Sequence, residues 1–261
     1  MALISFALPQ GIRSSVADNV WSAGFLKNYS SNSNHTGMTT SPPKSHPHGS
    51  LLLARIALEE GRFEDAFALL EPEIPNTDSI IMETYAEALF LTDRYEEALE
   101  VWERLGKYIK IYYVSRIFVE SNQMDNAAMA MGYAYNLRPD IYADAYANYQ
   151  LDAGNILRDK ADYSEADARY QAVITQFPNN ARAYLELSMS QLRQGQPEGA
   201  INAADKAMEF GSTNVRHYFR VAQIYEQAGS TEKALLAYKK INSISPDNQE
   251  AMIEIERLRN Q

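Results

Sequence analysis

The sequence predicts an all-α protein made of stacked helix-turn-helix repeats. Alanines recur every 34 residues, at Ala166, Ala200 and Ala234. Within each repeat, apolar residues follow one another at three- and four-residue steps, which is the period of a helix and not of a strand. Prolines such as Pro178 and Pro246 stop one helix before the next begins. A single helix pair cannot bury its apolar faces, so we expect the stack to be the folding unit.

The composition provides enough apolar material for this fold and excludes several kinds of site. The chain has 261 residues, of which 46% are hydrophobic, and a formal net charge of −10. An acidic chain lacks the basic face that nucleic-acid binding normally requires, so we expect no nucleic-acid partner. The absence of cysteine excludes disulfides, thiolate metal sites and a cysteine nucleophile. No apolar run approaches the roughly 20 residues of a membrane-spanning helix.

Residues 1–46 differ in composition from the rest and are predicted to be an N-terminal extension that is partly disordered. Residues 1–8 are apolar but stop at Pro9, which makes them a poor signal peptide and too short a membrane span. Residues 16–29 show a weak helical pattern, whose shared apolar face consists of Val16, Val20, Trp21, Phe25 and Leu26. Two roles stay open for this extension: an irregular cap on the first repeat, or an internal ligand of the array's groove.

The first half of the array divides into three predicted repeats, 47–78, 79–107 and 108–141. Each carries two stripes of small and apolar residues at helical spacing, separated by a turn such as residues 60–62. The second repeat is about five residues shorter than the 34-residue norm, because Gly106 breaks its second helix.

The second half contains the regular repeats 147–180, 181–214 and 215–248. Residues 142–146 form an insertion before them and include no helix breaker. We therefore expect the first helix of the fourth repeat to be extended by more than a turn. Residues 249–261 predict a capping helix with a charged outer face, which repeat stacks require.

The pattern of the last repeat resembles the tetratricopeptide repeat (TPR) family. The residues that carry this resemblance are Tyr218, Val221, Ala222, Tyr225, Ala234, Tyr238 and Pro246. The resemblance covers residues 47–248 and implies a right-handed superhelical solenoid of about six helix pairs, whose first helices line a concave groove. It also implies a non-catalytic scaffold that binds a peptide or a helix of a partner protein in that groove.

In members of this family that bind chaperone C-terminal tails, five polar positions across three repeats hold the terminal carboxylate of the peptide. The matching positions here are Leu151, Asn155, Glu186, Arg216 and Arg220. Asn155 and the two arginines fit the resemblance, whereas Leu151 replaces a lysine and Glu186 replaces an asparagine. A glutamate at position 186 would repel the carboxylate of a peptide, which argues against chaperone-tail binding.

Two interpretations stay open for the arginines in the predicted groove. In the first, Arg182, Arg216 and Arg220 receive an acidic or C-terminal peptide elsewhere in the groove. In the second, the arginines pair with Asp152 and Glu186 and form a solvated charged face. A separate, more aromatic contact patch is predicted in the third repeat and consists of Tyr112, Tyr113 and Arg116.

The sequence offers no catalytic constellation. His217 is the only histidine beyond residue 48, and we expect it at the surface or in the groove. Glu64 with Asp65, and Glu96 with Glu97, begin predicted second helices, where carboxylates favour the helix dipole. We therefore expect no enzyme activity, no cofactor and no metal site, and a protein or peptide as the partner.

A second hypothesis comes from residues 17–21 and 94–102, which resemble parts of the C-terminal repeat region of bacterial O-antigen ligase-like proteins. That resemblance implies the soluble tail of a membrane-bound glycan assembly protein, with any catalysis in a membrane part outside this chain. A third hypothesis is self-association: the capping helix opposes open-ended stacking, but a side-by-side homodimer is compatible with it. The sequence fits both a cytoplasmic location and an extracytoplasmic, membrane-associated location in bacteria.

Overall fold

The protein is an array of paired α-helices. The computed structural model describes residues 47–76, 78–211 and 214–260, and all regular structure in these ranges is helical, which confirms the predicted fold class. The helices are α1 Pro47–Glu59, α2 Phe63–Leu70, α3 Ser79–Leu91, α4 Tyr95–Arg104, α5 Tyr108–Glu120, α6 Met124–Leu137, α7 Pro139–Asp159, α8 Tyr163–Gln176, α9 Ala181–Arg193, α10 Pro197–Glu209, α11 Val215–Gln227, α12 Thr231–Ile244 and α13 Gln249–Arg259. A 3₁₀ helix, Glu71–Asn76, follows α2. The predicted helix at 16–29 lies outside the described residues.

The helices form six pairs, and the first helix of each pair is α1, α3, α5, α7, α9 or α11. Five of these first helices have 13 residues each, so their positions can be compared by counting from the helix start. The exception is α7, which has 21 residues, as expected from an insertion without helix breakers. It begins at Pro139, a residue suited to the first turn, where its missing N–H has no partner to lose.

The array divides into two compact units, Met1–Ala143 and Asp144–Gln261, and the boundary falls within α7. The core of the first unit is aromatic: the rings of Phe90 and Trp102 have centroids 5.7 Å apart, and those of Tyr95 and Phe118 are 4.9 Å apart. The core of the second unit combines buried alanines with buried tyrosines such as Tyr218, and α13 closes it by packing on α12.

Small residues lie buried where the two helices of a pair approach, as the 34-residue pattern predicts. Ala166, Ala200 and Ala234 are fully buried. At Gly154 a Cβ atom would lie 2.6 Å from the ring of Tyr170, so no larger residue fits there without movement. The hydroxyl of Ser188 donates a hydrogen bond to the carbonyl of Ala200 across the pair, 2.7 Å away.

The turn inside each pair has the same backbone geometry. One residue per turn adopts a positive φ, at positions Gly61, Asp93, Asn122, Ala161, Gly195 and Gly229. The residue after it donates its backbone N–H to a carbonyl five residues earlier, as Ser230 does to Tyr225 at 2.7 Å. This is the Schellman arrangement, which satisfies carbonyls at the end of a helix.

Asparagines cap α9, α11 and α13 in the second unit at a spacing of 34 residues. The side chain of Asn180 accepts a hydrogen bond from the backbone N–H of Ala183, and Asn248 accepts one from Ala251. Asn214 accepts one from Arg216. Such caps satisfy N–H groups that the first helical turn leaves unpaired, so they fix where these three helices begin.

Candidate functional site

The surface of interest is the side of the first helices that carries their second, sixth and ninth residues, called here the first-helix face. In the second unit this face is charged, and ion pairs connect its neighbouring helices. Arg182 of α9 donates to Asn148 at 2.7 Å and to Asp152 at 2.5 Å, both on α7. Arg193 reaches Asp159 at 2.9 Å in the same way. Successive first helices are thus joined by pairs about one repeat apart.

The centre of this network is a buried triad of Arg158, Glu186 and Arg220. Glu186 is only 1% exposed and accepts hydrogen bonds from Arg158 at 2.6 Å and from Arg220 at 2.9 and 3.0 Å. Burial alone would raise the pKa of Glu186, but the hydrogen bonds and charges of Arg220 and Arg158 outweigh it and lower the pKa below its ordinary value. Glu186 is therefore ionised at neutral pH, and the two arginines balance its negative charge.

Arg158 is the more deeply buried of the two arginines, at 6% exposure, and its Nε has no hydrogen-bond partner. Arg220 keeps about a third of its side chain in contact with solvent. With two arginines and one glutamate the triad carries a net positive charge, and Arg220 presents that charge to the surface.

The five positions of the carboxylate-binding pattern occupy very different environments. Leu151 is fully buried in the core, and Asn155 accepts a hydrogen bond from the hydroxyl of Tyr170 at 2.9 Å. Glu186 and Arg220 are partners of each other. Arg216 is exposed and has no side-chain partner among the described residues. The expected pairing of Arg220 with Glu186 is present, but Glu186 is buried rather than solvated.

The first-helix face of the first unit is apolar instead. Its exposed large side chains include Leu52 of α1, Ile80 of α3, and Ile109 and Tyr113 of α5. Lys110 pairs with Glu83 of α3 at 3.1 Å and with Glu87 at 2.5 Å, and Lys107 pairs with Glu83 at 2.7 Å, so the two lysines balance the two glutamates.

The predicted aromatic patch lies on α5. Tyr113 is 55% exposed, and its ring centroid is 5.6 Å from that of half-buried Tyr112. Tyr112 in turn stacks on buried Tyr142 at 5.3 Å, with an interplanar angle of 21°. Arg116 is exposed, and no ion pair involves it within the described ranges. Ile109, Tyr113 and Arg116, called here the α5 patch, share one side of the helix because they are spaced by four and three residues.

Sequence reasoning missed Arg158 and Ile109. The sequence could have drawn attention to Arg158, because the residue 34 positions later is Leu192. An arginine thus occupies a position that is apolar in the next repeat. His217, expected at the surface or in the groove, is half-buried, and its Nε2 lies 2.9 Å from the carbonyl oxygen of Ala207. Burial lowers the pKa of His217 more than this hydrogen bond raises it.

Other kinds of site are not evident in the part of the chain that the structure describes. No group of three or more His, Cys, Asp or Glu residues there could hold a metal ion. None of the described helices combines the length and apolar content needed to cross a membrane.

The repeats match TPR family models over residues 47–72 and 83–104, 151–215 and 215–248, which together cover more than half of the chain. The protein belongs to the tetratricopeptide repeat family.

Among curated proteins, human general transcription factor 3C polypeptide 3 is 30% identical over 81 residues, 31% of this chain and 9% of that protein. The CTR9 homolog of Arabidopsis thaliana is 27% identical over 103 residues, 38% of this chain and 9% of that protein. This chain thus spans about a tenth of the length of each relative.

Among solved structures, the crystal structure of MamA has a TM-score of 0.43 and 20% identity, and the match covers 56% of this chain and 83% of that one. The first TPR of Spaghetti (RPAP3), bound to an HSP90 peptide, has a TM-score of 0.38 and 19% identity, with coverages of 44% and 90%.

Proposed function

We propose that this protein is a non-catalytic scaffold that binds a segment of a partner protein on its first-helix face, with the α5 patch as the main contact. Stacked helical repeats present extended surfaces for such binding. The observation that carries the proposal is the α5 patch itself, in which Tyr113 and Ile109 are exposed beside an arginine that has no ion-pair partner in the described ranges.

Tyr and Arg are the residue types most often found at the energetic centres of protein interfaces. Tyr113 is suited to this role because its ring lies against that of Tyr112, and Tyr112 is held in place by its stack on Tyr142. A contact that is ordered before the partner binds lowers the entropic cost of binding. Arg116 supplies a guanidinium that can bind a carboxylate in a bidentate manner. The partner segment that fits is therefore a peptide or helix with an apolar residue close to an acidic one.

The second unit offers less to an acidic peptide. Arg182 and Arg220 already hydrogen bond to Asp152 and Glu186, and Asn155 is engaged by Tyr170. A peptide carboxylate would have to displace these partners, which leaves Arg216 as the accessible cation. A binding role for Asn155, Arg182, Glu186, Arg216 and Arg220 remains a secondary proposal.

The proposal can be tested with peptides selected from a random library on the immobilised protein. We expect the dissociation constant of selected peptides to rise at least about tenfold in Tyr113→Ala and in Arg116→Ala, the change typical of an interface hot spot. Leu236→Ala, at an equally exposed site on α12, serves as the control and is expected to bind unchanged. Peptides that lose affinity on Arg216→Ala but not on Tyr113→Ala would refute the α5 patch and support the second unit.

A further inference from the structure

The N-terminal end of the array has an apolar surface where the next repeat, which contains α3, is buried. Leu52 and Ile56 are the sixth and tenth residues of α1 and are 56% and 39% exposed. In α3 the same two places hold Thr84 and Ala88, and both are fully buried. The difference follows from the neighbours, because α3 packs on both helices of the preceding pair, while α1 has no described helix before it.

The second unit repeats this relationship. The tenth residues of α9 and α11 are Ser190 and Ile224, and both are buried. Each of these helices packs on the pair that precedes it. In α5 the equivalent residue, Ile117, is half-buried. The tenth place is thus buried or half-buried in α3, α5, α9 and α11, each of which follows another pair, whereas in α1 it holds a large apolar residue that is exposed.

We infer that residues 16–29 of this same chain cover Leu52 and Ile56 and act as an N-terminal cap on the first pair. Terminal repeats of a stack need a cover with a polar outer face, because an exposed apolar end invites association. Residues 16–29 have the required composition: Trp21, Phe25 and Leu26 can share one helical face, and polar residues occupy much of the other.

The connection between the two segments has a suitable length. Residues 30–46 provide 17 residues between the proposed cap and α1. A flexible chain of that length has a typical end-to-end distance of about 23 Å and a maximal reach of about 55 Å. The 13 residues of α1 span about 20 Å. The linker can therefore carry the cap back along the whole of α1.

Charge also favours this occupant. Residues 1–46 contain Arg13, Lys27 and Lys44 but only one carboxylate, Asp18. Residues 47–76 contain two arginines and six carboxylates. The extension and the first pair thus carry opposite net charges, which favours their association over that of two copies of the acidic array. This inference is independent of partner binding at the α5 patch.

The chain's two tryptophans allow a direct test, because one is Trp21 and the other, Trp102, is 1% exposed. Acrylamide quenching of the wild type, compared with that of Trp21→Phe, isolates the accessibility of Trp21. We expect Trp21 to be quenched several-fold less than free N-acetyltryptophanamide, independently of protein concentration. In the double variant Leu52→Glu, Ile56→Glu we expect Trp21 to become as accessible as the free compound, with unchanged circular dichroism.

The control is Leu236→Glu, which places a single glutamate at an exposed site of the second unit and should leave Trp21 protected. Three results would overturn the inference. Trp21 could be freely quenched in the wild type, it could stay protected in the double variant, or its protection could appear only at high protein concentration. The last result would assign the α1 surface to a second copy of the chain.

Discussion

Glu186 places a carboxylate in the carboxylate-binding pattern, where it would repel the carboxylate of a peptide, and its surroundings explain why the protein tolerates it. Two arginines, Arg158 and Arg220, hold it in a buried triad. Removing the only acid of the triad leaves the buried Arg158 with Asp159, 3.7 Å from its Nε, as its remaining ion-pair partner, and such a loss costs more than the loss of an exposed pair.

The variant Glu186→Gln is accordingly expected to lose about 3 kcal/mol of unfolding free energy, because Arg158 cannot reach solvent. Asp152→Asn removes the acid of a half-exposed pair with Arg182 and is expected to change stability by less than about 1 kcal/mol. Urea denaturation followed by circular dichroism measures both. Equal losses in the two variants would mean that burial of the triad does not matter.

The pH dependence of stability offers a second test of Glu186. Its pKa is lowered in the folded protein, so its contribution is complete above the unfolded-state pKa of about 4.3 and is lost as the pH falls through the folded-state pKa. The stability difference between wild type and Glu186→Gln should therefore be constant from about pH 7 to 5 and shrink below about pH 4.3. Urea unfolding across this range checks it, and a difference that grows on acidification contradicts it.

At the scale of elements, the six turns inside the helix pairs share one backbone conformation but not one residue type. Glycine adopts the positive φ at three of them, and Asp93 and Asn122 are residue types that tolerate it. Ala161 adopts a φ of 64°, although it has a Cβ atom, unlike glycine, and no polar side chain, unlike asparagine and aspartate. Its Cβ atom is therefore a source of strain at the end of α7.

Ala161→Gly is expected to stabilise the protein by about 1 kcal/mol, because glycine removes this strain and its own entropic cost is smaller. Asn122→Gly serves as the matched control and should yield a smaller gain, since asparagine already tolerates the conformation. Thermal and urea unfolding of both variants report the effect. A loss of stability in Ala161→Gly would show that the alanine methyl makes a compensating contact.

At the scale of the whole molecule, the repeat pattern predicts the fold because each repeat in such an array contacts only the repeats next to it. The buried alanines at 166, 200 and 234 and the extended α7 follow directly from spacing. The pairing of Arg158 with Glu186 could not be derived in the same way, although the 34-residue spacing marks Arg158 by its counterpart Leu192. It depends on how α7 and α9 face each other, which the 34-residue period does not encode.

The candidate site could be predicted from the sequence only in part, because it also depends on contacts between helices. The places of Tyr112, Tyr113 and Arg116 on α5 could be predicted, but the support of Tyr112 by Tyr142 joins two helices across a repeat boundary. Likewise, the contrast between an apolar first-helix face in the first unit and a charged one in the second becomes visible only once exposure is known.

The most direct measurement of the central claim is a titration of the protein, labelled at its isoleucine methyl groups, with a library-selected peptide, followed by NMR. Partner binding at the α5 patch should cause large shift changes for exposed Ile109 and Ile80 in the first unit and none for Ile253, which is exposed on α13. Single methyl substitutions can assign these signals. Unchanged signals from Ile109 and Ile80, with changes confined to the second unit, would contradict partner binding at the α5 patch.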